Sequence, residues 1–396
     1  MAGALQRLKV LDLSRFIAGP YCALMLGDLG ADVVKVERTR IGEESRVIPP
    51  QIGGESLYYM VYNRSKRGMT LNFRHPRAQA LLRELAIRAD VLIENFRPGV
   101  MEKMGCGWET LGALNPCFIM VSISGFGQDG PLADRPCFDV IAQAMSGLMS
   151  ITGQPGGPPT MAGTYVVDYT SALYATIGIL AAVERRHHTG RGQRVEASLM
   201  ESAMSLLMTA IPEMKLLGKE LTRHGNRDRY AAPAQTFRSK DGIWIHFLGA
   251  SDEHFPRLLG AMQREDLIRD PRFSSSAARV ENVEALEAVV AEWTAAHDAQ
   301  TLLDILDRAQ LPCAKVATIA DVIENPQVQH RGLVVDVEHP KAGTIPMQGV
   351  ALRMSESPAA VRSPAPLLGE HTARVLQEWL GMTPERIEEL QREGVI

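Results

Sequence analysis

An aspartate stands where a long apolar pattern begins, in the stretch TYVVDYTSALYATIG that covers 164–178. Asp168 follows two β-branched valines and precedes apolar positions that recur with helical spacing. A carboxylate in the first turn of a helix accepts a hydrogen bond from an unpaired backbone N–H, and its charge suits the helix dipole. Helix capping is therefore the first interpretation of Asp168, and a catalytic role needs support from the rest of the chain.

Other groups of reactive side chains favour structural interpretations. The five cysteines are scattered and form no CxxC pair, which argues against a disulfide framework or a zinc site. The basic run ERRHHTGRGQR at 184–194 follows an apolar helix and contains two glycines, a pattern typical of cations at a helix C-terminus, with phosphate binding as the alternative. The first turn lacks a GxGxxG pattern, and GxxxxGK[ST] is absent, which argues against an NAD site and a phosphate loop.

The first 130 residues alternate between strand and helix patterns that would position such side chains. Apolar runs predict strands and helices in this order: strand 9–14, helix 19–30, strand 31–37, helix 75–89, strand 90–96 and strand 118–127. The alternation predicts an α/β fold with a doubly wound parallel sheet. Ligands bind beyond the carboxyl ends of such strands. This places 14–18, Arg38, 95–96 and 124–127 at one rim.

The middle of the chain has a different pattern. A polar stretch at 219–235 is followed by TFRSKDGIWIHFLGA, which predicts a hairpin that turns at Asp241 and Gly242. Helical patterns then continue to about Arg308, which predicts a smaller α+β domain over 219–308. Strand and turn patterns return after Pro312, and two helical patterns close the chain.

The composition is that of an ordinary globular protein. The chain has 396 residues, 45% of them hydrophobic and 22% charged, which predicts two domains. A net charge of −4 gives no reason to expect nucleic acid as a partner. The N-terminus has no basic segment followed by an apolar run, and the apolar stretch at 172–183 is shorter than a bilayer requires. We therefore expect a cytoplasmic protein without a membrane partner.

Six stretches occur in order over nearly the whole chain: VLDLSRFIAGPYCALMLGDLGADVVKVER, NRSKRGMTLNFRHPRA, ADVLIENFRPGVMEKMG, SGFGQDGPLADRPCFDVIAQAMSG, GILAAVERRHHTGRGQRVEASL and PAPLLGEHT. Together they resemble the class III CoA-transferases, the family that includes formyl-CoA transferase and the carnitine CoA-transferases. The resemblance implies a large Rossmann-like domain built from both chain ends, 1–218 and 309–396. It also implies a smaller domain from 219–308 and an interlocked homodimer.

The resemblance implies that Asp168 is a nucleophile. A carboxylate that attacks an acyl-CoA thioester forms a mixed anhydride and releases the CoA thiolate. The thiolate returns to form an aspartyl-CoA thioester, and a second carboxylic acid then takes the CoA. No metal and no permanently bound cofactor are expected, since coenzyme A and acyl-CoA enter as substrates. The helix N-terminus is expected to keep the Asp168 carboxylate ionised.

The resemblance also implies a set of CoA contacts. The loop that covers the pantetheine and the reactive centre consists of Arg15, Phe16, Ile17 and Ala18. The positions that hold the adenine and its phosphates are Arg38, Leu71, Arg74 and Lys103. The inner wall is formed by Asn95, Phe96 and Met104, and Asp139 matches an acidic position near the nucleophile.

The acids that exchange CoA are left open. Formyl-CoA transferase has a glutamine where this chain has Ile17, and a glycine loop of its small domain has no counterpart here. Both departures leave formate and oxalate specificity in doubt. Arg15 would favour a dicarboxylate such as succinate if it points into the site, because a guanidinium pairs with a distal carboxylate.

Two alternatives differ in class. α-Methylacyl-CoA racemase shares the fold and the CoA site, but in that branch a histidine precedes the aspartate that corresponds to Asp139. Phe138 stands at this position and cannot transfer a proton. The other alternative is a CoA-binding protein that kept the fold and lost its activity, against which the intact Asp168 argues.

Overall fold

A six-stranded parallel sheet forms the centre of the computed structural model, which describes residues 3–396. Its strands are β1 (Lys9–Asp12), β2 (Asp32–Arg38), β3 (Arg67–Leu71), β4 (Val91–Glu94), β5 (Ile119–Ser124) and β6 (Arg194–Ser198). The spatial order is β3-β2-β1-β4-β5-β6, and each neighbouring pair is parallel. The order reverses between β1 and β4, which is where ligands bind in open parallel sheets. The predicted α/β fold with a parallel sheet is therefore confirmed.

The helices before residue 218 are α1 (Ala18–Asp28), α2 (Leu57–Asn63), α3 (Pro76–Arg88), α4 (Val100–Lys103), α5 (Trp108–Leu114), α6 (Asp139–Met145), α7 (Leu148–Ile151), α8 (Val166–Thr189), α9 (Leu199–Met204) and α10 (Ala210–Leu217). The later helices are α11 (His254–Ala261), α12 (Ser276–Glu281), α13 (Val283–Ala295), α14 (Ala299–Arg308), α15 (Ile319–Glu324), α16 (Pro326–His330), α17 (Thr372–Leu380) and α18 (Pro384–Arg392). Short 3₁₀ helices cover Glu44–Val47 and Glu265–Arg269.

Helices cover both faces of the sheet because neighbouring strand residues point in opposite directions. On one face, Leu11 and Leu92 pack with the apolar sides of α3, α5, α17 and α18. On the other face, Val10 and Ile93 pack with α1, α8 and α9. Both cores are closed to solvent, so the six strands are fixed and their carboxyl ends form one edge.

The chain divides into two units. The first contains 3–148, 161–211 and 327–396, so both chain ends belong to it, and the second contains 149–160 and 212–326. The second unit extends beyond the predicted 219–308 on both sides, and part of the addition is a strand at Cys313–Lys315 that pairs with its sheet. Its sheet joins β7 (Ala234–Arg238), β8 (Trp244–Leu248) and β9 (Cys313–Lys315), and the predicted hairpin is β7–β8.

The last two strands, β10 (Val334–His339) and β11 (Gly343–Gln348), form a hairpin within the first unit. Two further two-residue strands, Gln51–Ile52 and Glu55–Ser56, pair with each other ahead of α2. The C-terminal α17 then packs against α3 and β3, and the Thr372 hydroxyl accepts a hydrogen bond from Thr70 N at 3.1 Å. The chain thus returns to the sheet that its first half builds.

By length and composition alone, helix α8 could cross a membrane. The prediction that the apolar stretch here is shorter than a bilayer requires is therefore wrong. The helix extends beyond 172–183 at both ends. Its buried side, with Ala172, Ala175 and Ile179, packs in the core of the first unit, which accounts for part of its apolar composition. Such packing is what a core helix shows, and the opposite side remains exposed.

Candidate active site

Asp168 lies in the first turn of α8, but it is not the cap of that helix. The residue that precedes the helix, Tyr165, provides no side-chain cap. Oδ2 of Asp139 instead accepts hydrogen bonds from the backbone N–H groups of Val167, at 2.7 Å, and of Asp168, at 3.1 Å. A carboxylate from α6 therefore caps α8, and the capping interpretation of Asp168 is wrong. The Asp168 side chain is left to face the space in front of the helix.

The Asp139 cap is itself held in place. Gln143 lies one turn further along α6 and donates from Nε2 to Asp139 Oδ1 at 2.5 Å. The Gln143 side-chain oxygen Oε1 accepts from the backbone N–H of Ala162 at 2.9 Å, which ties the segment before α8 to the same pair. Asp139 and Gln143 are fully buried. This pair orients the N-terminus of α8 and, through it, Asp168.

The ionisation of Asp168 differs from the sequence prediction. Burial raises the pKa of the Asp168 carboxyl to about 7, and the negative charge of Asp139 adds to the rise. The expectation that the helix N-terminus keeps this carboxylate ionised considered only the dipole. Desolvation and a neighbouring carboxylate outweigh that contribution, so near neutral pH the group exists in both forms.

Asp168 opens into a cavity of about 340 Å³, a size that suits a small-molecule substrate. The cavity lies at the carboxyl ends of β1, β4 and β5, as the strand pattern predicts. Its lining comprises Arg15, Phe16, Ile17, Ala18, Glu44, Asn95, Phe96, Arg97, Pro98, Ile123, Ser124, Gly125, Ala133, Arg135, Pro136, Cys137, Phe138, Asp168 and Leu199. Cationic, acidic and aromatic side chains thus surround one carboxylate.

The loop between β1 and α1 forms one wall and has a constrained backbone. Asn95 Oδ1 accepts from Arg15 N at 2.8 Å, and Asn95 Nδ2 donates to Arg15 O at 2.7 Å. Phe16 has a φ of +68°, a conformation that costs energy for a residue with a Cβ, and its N–H donates to Glu43 Oε2 at 3.0 Å. The Phe16 ring contacts the Phe138 ring edge to face at 5.6 Å.

Buried charges support this loop from below. Asp12 Oδ1 accepts a hydrogen bond from Ser14 N at 2.9 Å, and Lys66 Nζ donates to Asp12 Oδ2 at 2.8 Å. Lys35 Nζ donates to Ser14 O and lies 3.5 Å from Glu43 Oε1. All of these side chains are nearly inaccessible to solvent. Removing one charge would leave its partner buried and unpaired, so a substitution in this network would be strongly destabilising.

The structure brings most of the predicted site residues together. The loop residues 15–18, Asn95 and Phe96 line the cavity with Asp168. Arg38 lines a smaller cavity of about 60 Å³ that shares Arg15 and Phe96 with the first. Asp139 lies behind the site as the cap of α8.

Apart from Asp139, four predicted residues line neither cavity. Leu71 is completely buried in the core between the sheet and α3, so its side chain is not accessible to a ligand in this structure. Met104 packs against the same core, whereas Arg74 and Lys103 are exposed. Phe73, which was not among the predicted residues, lines the smaller cavity.

Sequence reasoning missed several residues that face Asp168. Burial raises the pKa of Tyr58, and the charge of Asp168 is the next contribution. Burial also raises the pKa of the Cys137 thiol to about 11, again with Asp168 as the next cause. Glu44 lies in a segment without strand or helix periodicity, so no sequence pattern pointed to it.

Within residues 3–396 no group of three His, Cys, Asp or Glu side chains is arranged to hold a metal ion.

Comparison with known proteins assigns this architecture to a family. The family model of CoA-transferase family III matches residues 5–372. A succinyl-CoA–D-citramalate CoA-transferase of Chloroflexus aurantiacus is 37% identical over 99% of this chain and 98% of its own length. A succinyl-CoA:mesaconate CoA-transferase of Haloarcula hispanica is 39% identical over 98% of this chain and 99% of its own. A crystal structure of a CaiB/BaiF family protein from Brucella suis superposes with a TM-score of 0.85 at 34% identity, covering 96% of this chain and 100% of the other.

Proposed function

The chain belongs to CoA-transferase family III, and we propose that it moves CoA from succinyl-CoA to a second dicarboxylic acid with Asp168 as the nucleophile. The observation that carries this proposal is the position of Asp168. Its carboxyl opens into the cavity at the strand ends, while the adjacent backbone N–H groups are already capped by Asp139. Asp168 is therefore not needed as a cap and is free to react.

In the first step, ionised Asp168 attacks the thioester carbonyl carbon, a C–O bond forms, and the C–S bond breaks to release the CoA thiolate. The thiolate then attacks the aspartyl carbonyl of the mixed anhydride, which forms an aspartyl-CoA thioester and frees the donor acid. The acceptor carboxylate repeats the sequence in reverse, and Asp168 is regenerated. A carboxyl with a pKa of about 7 is ionised in a useful fraction near neutral pH and is only weakly stabilised by solvent.

Arg15 supports the assignment of dicarboxylic substrates. Its guanidinium lines the same cavity as Asp168 and lies 5.3 Å from the Phe96 ring, which orients it along the wall. A guanidinium binds a carboxylate through two parallel hydrogen bonds, so it can hold the distal end of a short diacid while the near carboxyl reacts. The relatives described above carry succinyl-CoA in their names, in agreement with this choice of donor.

Phe138 argues against proton transfer at the α-carbon. It is exposed towards the cavity and makes an edge-to-face contact with Phe16, and its ring has no acidic or basic group. A racemase-type reaction needs an acid and a base on opposite sides of that carbon. The arrangement therefore favours acyl transfer.

We also propose that the protein works as a homodimer whose subunits interlock, as the family resemblance implies. The exposed side of α8 carries Leu173, Tyr174, Ile177 and Leu180, all at least 37% accessible. Their spacing places them on one face of the helix. An exposed apolar face of this kind fits a second copy of the chain.

The catalytic proposal is tested by trapping the intermediate. Enzyme incubated with succinyl-CoA and then with hydroxylamine should carry a hydroxamate on Asp168, located by peptide mass spectrometry. Asp168→Ala should lose CoA exchange by at least about a thousandfold, because no other group forms the anhydride. The same variant should still bind CoA, measured by calorimetry, which separates loss of chemistry from loss of the fold.

Ready exchange by Asp168→Ala, or turnover without any label on Asp168, would contradict the mechanism. Solvent deuterium incorporation at the α-carbon of a 2-methylacyl-CoA, without CoA transfer, would favour the racemase. Binding of CoA without either reaction would identify a non-catalytic homologue.

A further inference from the structure

Two arginines of the substrate region share one acidic side chain. Arg15 Nη1 lies 3.0 Å from Glu44 Oε1, and Arg38 Nη2 lies 3.0 Å from the same oxygen. Arg15 lines the cavity that contains Asp168, whereas Arg38 lines the smaller neighbouring cavity. Glu44 therefore connects the reacting end of the site to the region expected to hold the CoA phosphates.

The pairing between Arg15 and Glu44 is incomplete. Among residues 3–396, Arg15 Nε and Glu44 Oε2 are both buried and have no hydrogen-bond partner. A guanidinium and a carboxylate can form two parallel hydrogen bonds, but here the contact uses one nitrogen and one oxygen. A buried polar atom without a partner is costly, so these two atoms indicate a contact that the free protein does not make.

Glu44 is not needed to hold its own segment in place. The neighbouring Arg46 donates to Glu37 Oε2 at 2.7 Å and to Tyr59 Oη at 2.6 Å, and the Ser45 hydroxyl donates to Glu43 Oε1 at 2.7 Å. These contacts anchor the 3₁₀ helix Glu44–Val47. The Glu44 side chain can therefore turn away without unfolding the segment.

The Arg15 side chain is equally free to change its partner. Its backbone is fixed on both sides by Asn95, and its guanidinium rests on the Phe96 ring. Among the described residues, the only acidic group that it contacts is Glu44, and both side chains are about one-third exposed. Exposed ion pairs of this kind are weak and exchange easily.

We infer that Glu44 is an internal carboxylate that occupies Arg15 in the free enzyme and is displaced by the distal carboxylate of a dicarboxylic substrate. The inference rests on the proposed function. When the diacid binds, its distal carboxylate pairs with Arg15, and Glu44 retains its contact with Arg38. Arg15 stays paired, because one carboxylate replaces another at the same guanidinium, and the two arginines then face two carboxylates in place of one. A monocarboxylic acid offers no such replacement and leaves Arg15 paired with Glu44.

Glu44 is thus a specificity-determining residue. Its carboxylate competes with the distal carboxylate of a diacid for Arg15 and so lowers the affinity of the enzyme for diacids. Its removal should strengthen binding of dicarboxylates and leave monocarboxylates nearly unaffected. A purely structural role predicts the opposite sign, because loss of Glu44 would then disorder Arg15 and weaken diacid binding.

The test compares Glu44→Gln with the wild type at saturating succinyl-CoA, with glutarate and valerate as five-carbon acceptors that differ in the distal carboxylate. We expect the KM for glutarate to fall about two- to fivefold, the range of a weak exposed ion pair, while the KM for valerate changes less than about twofold. In an Arg15→Gln background the same Glu44→Gln change should have no effect on the ratio of the two KM values, since no guanidinium remains to be released.

The matched control is Glu389→Gln. Glu389 also bridges two arginines, Arg77 and Arg386, but it lies on the exposed C-terminal helix α18 and lines neither cavity. It should leave both KM values unchanged. An increased or unchanged KM for glutarate in Glu44→Gln overturns the inference while the wild-type reaction still supports the proposed function. No transfer by the wild type to either acid overturns both.

Discussion

At the scale of the residue, the chemistry depends on how Asp168 is charged. Its carboxyl lies beside Asp139 and in a partly closed cavity, and both features disfavour the anion. The same features that prepare the group for attack therefore destabilise the folded protein at high pH. A functional carboxyl of this kind lowers the free energy of unfolding, and replacing it can restore that stability.

The sign of this effect follows from proton binding. The pKa of Asp168 is about 7 in the folded protein and near 3.8 in the unfolded chain, so the folded state holds the proton over that interval. Stability that the neutral form provides is complete below about pH 4 and is lost as the pH rises towards 7. Asp168→Asn keeps the neutral form at all pH values. It should raise the free energy of unfolding at pH 8 by about 1–3 kcal/mol, below the ~4 kcal/mol ceiling that three pKa units represent.

Urea unfolding at pH 8 and at pH 4.5 checks this prediction. The gain of Asp168→Asn should be largest at pH 8 and should fall to about a quarter of that value at pH 4.5, where the folded proteins are both uncharged at this position and only the unfolded wild-type chain still ionises there. A gain that is the same at both pH values would show that packing, and not ionisation, explains it.

At the scale of the element, the loop between β1 and α1 carries the substrate-facing residues on a backbone with little freedom. Gly19 is the second residue of α1. It lies so close to Ser14 that an added Cβ would be 2.1 Å from the Ser14 Cβ. Ser14 is held by Asp12 and Lys35, so it cannot move away cheaply. The glycine therefore sets how closely the loop returns to its helix.

Gly19→Ala should lower the free energy of unfolding by about 1–3 kcal/mol and raise the KM for acyl-CoA, because the loop 15–18 is displaced. Thermal unfolding and steady-state kinetics on the same preparation measure the two effects. Gly260→Ala is the control, since a Cβ at Gly260 in α11 meets nothing within 4 Å. The control should leave the KM unchanged and stabilise the helix slightly. An unaltered Gly19→Ala enzyme would show that the loop is not constrained in this way.

Strand ends were predictable from sequence, and the contacts between loops were not. The apolar runs located β1, β2, β4 and β5, and the rule for parallel sheets then placed Arg15, Asn95 and Ser124 at one edge. Strand β3, RGMTL, has too short and mixed a pattern to be recognised, although it completes the sheet. The contact of Glu44 with Arg15 and the Asp139 cap each join residues 29 positions apart, which periodicity does not encode.

At the scale of the whole molecule, one surface remains to be explained. The first unit buries one side of α8 against the sheet and leaves Leu173, Ile177 and Leu180 exposed on the other. Length and composition alone would allow this helix to cross a membrane, but its buried side already belongs to the protein core. A second copy of the chain that covers the exposed side would account for both observations.

Ile177→Glu tests the dimer. Ile177 is 60% exposed, so a glutamate there should not disturb the fold of one subunit, but it would place a charge inside the proposed interface. We expect light scattering after gel filtration to show a shift from dimer towards monomer at micromolar concentration, with unchanged circular dichroism. Leu114→Glu is the matched control, because Leu114 is 51% exposed on α5, which covers the opposite face of the sheet. If Ile177→Glu remained dimeric, or if both variants dissociated alike, the exposed face of α8 would not be the contact that joins the subunits.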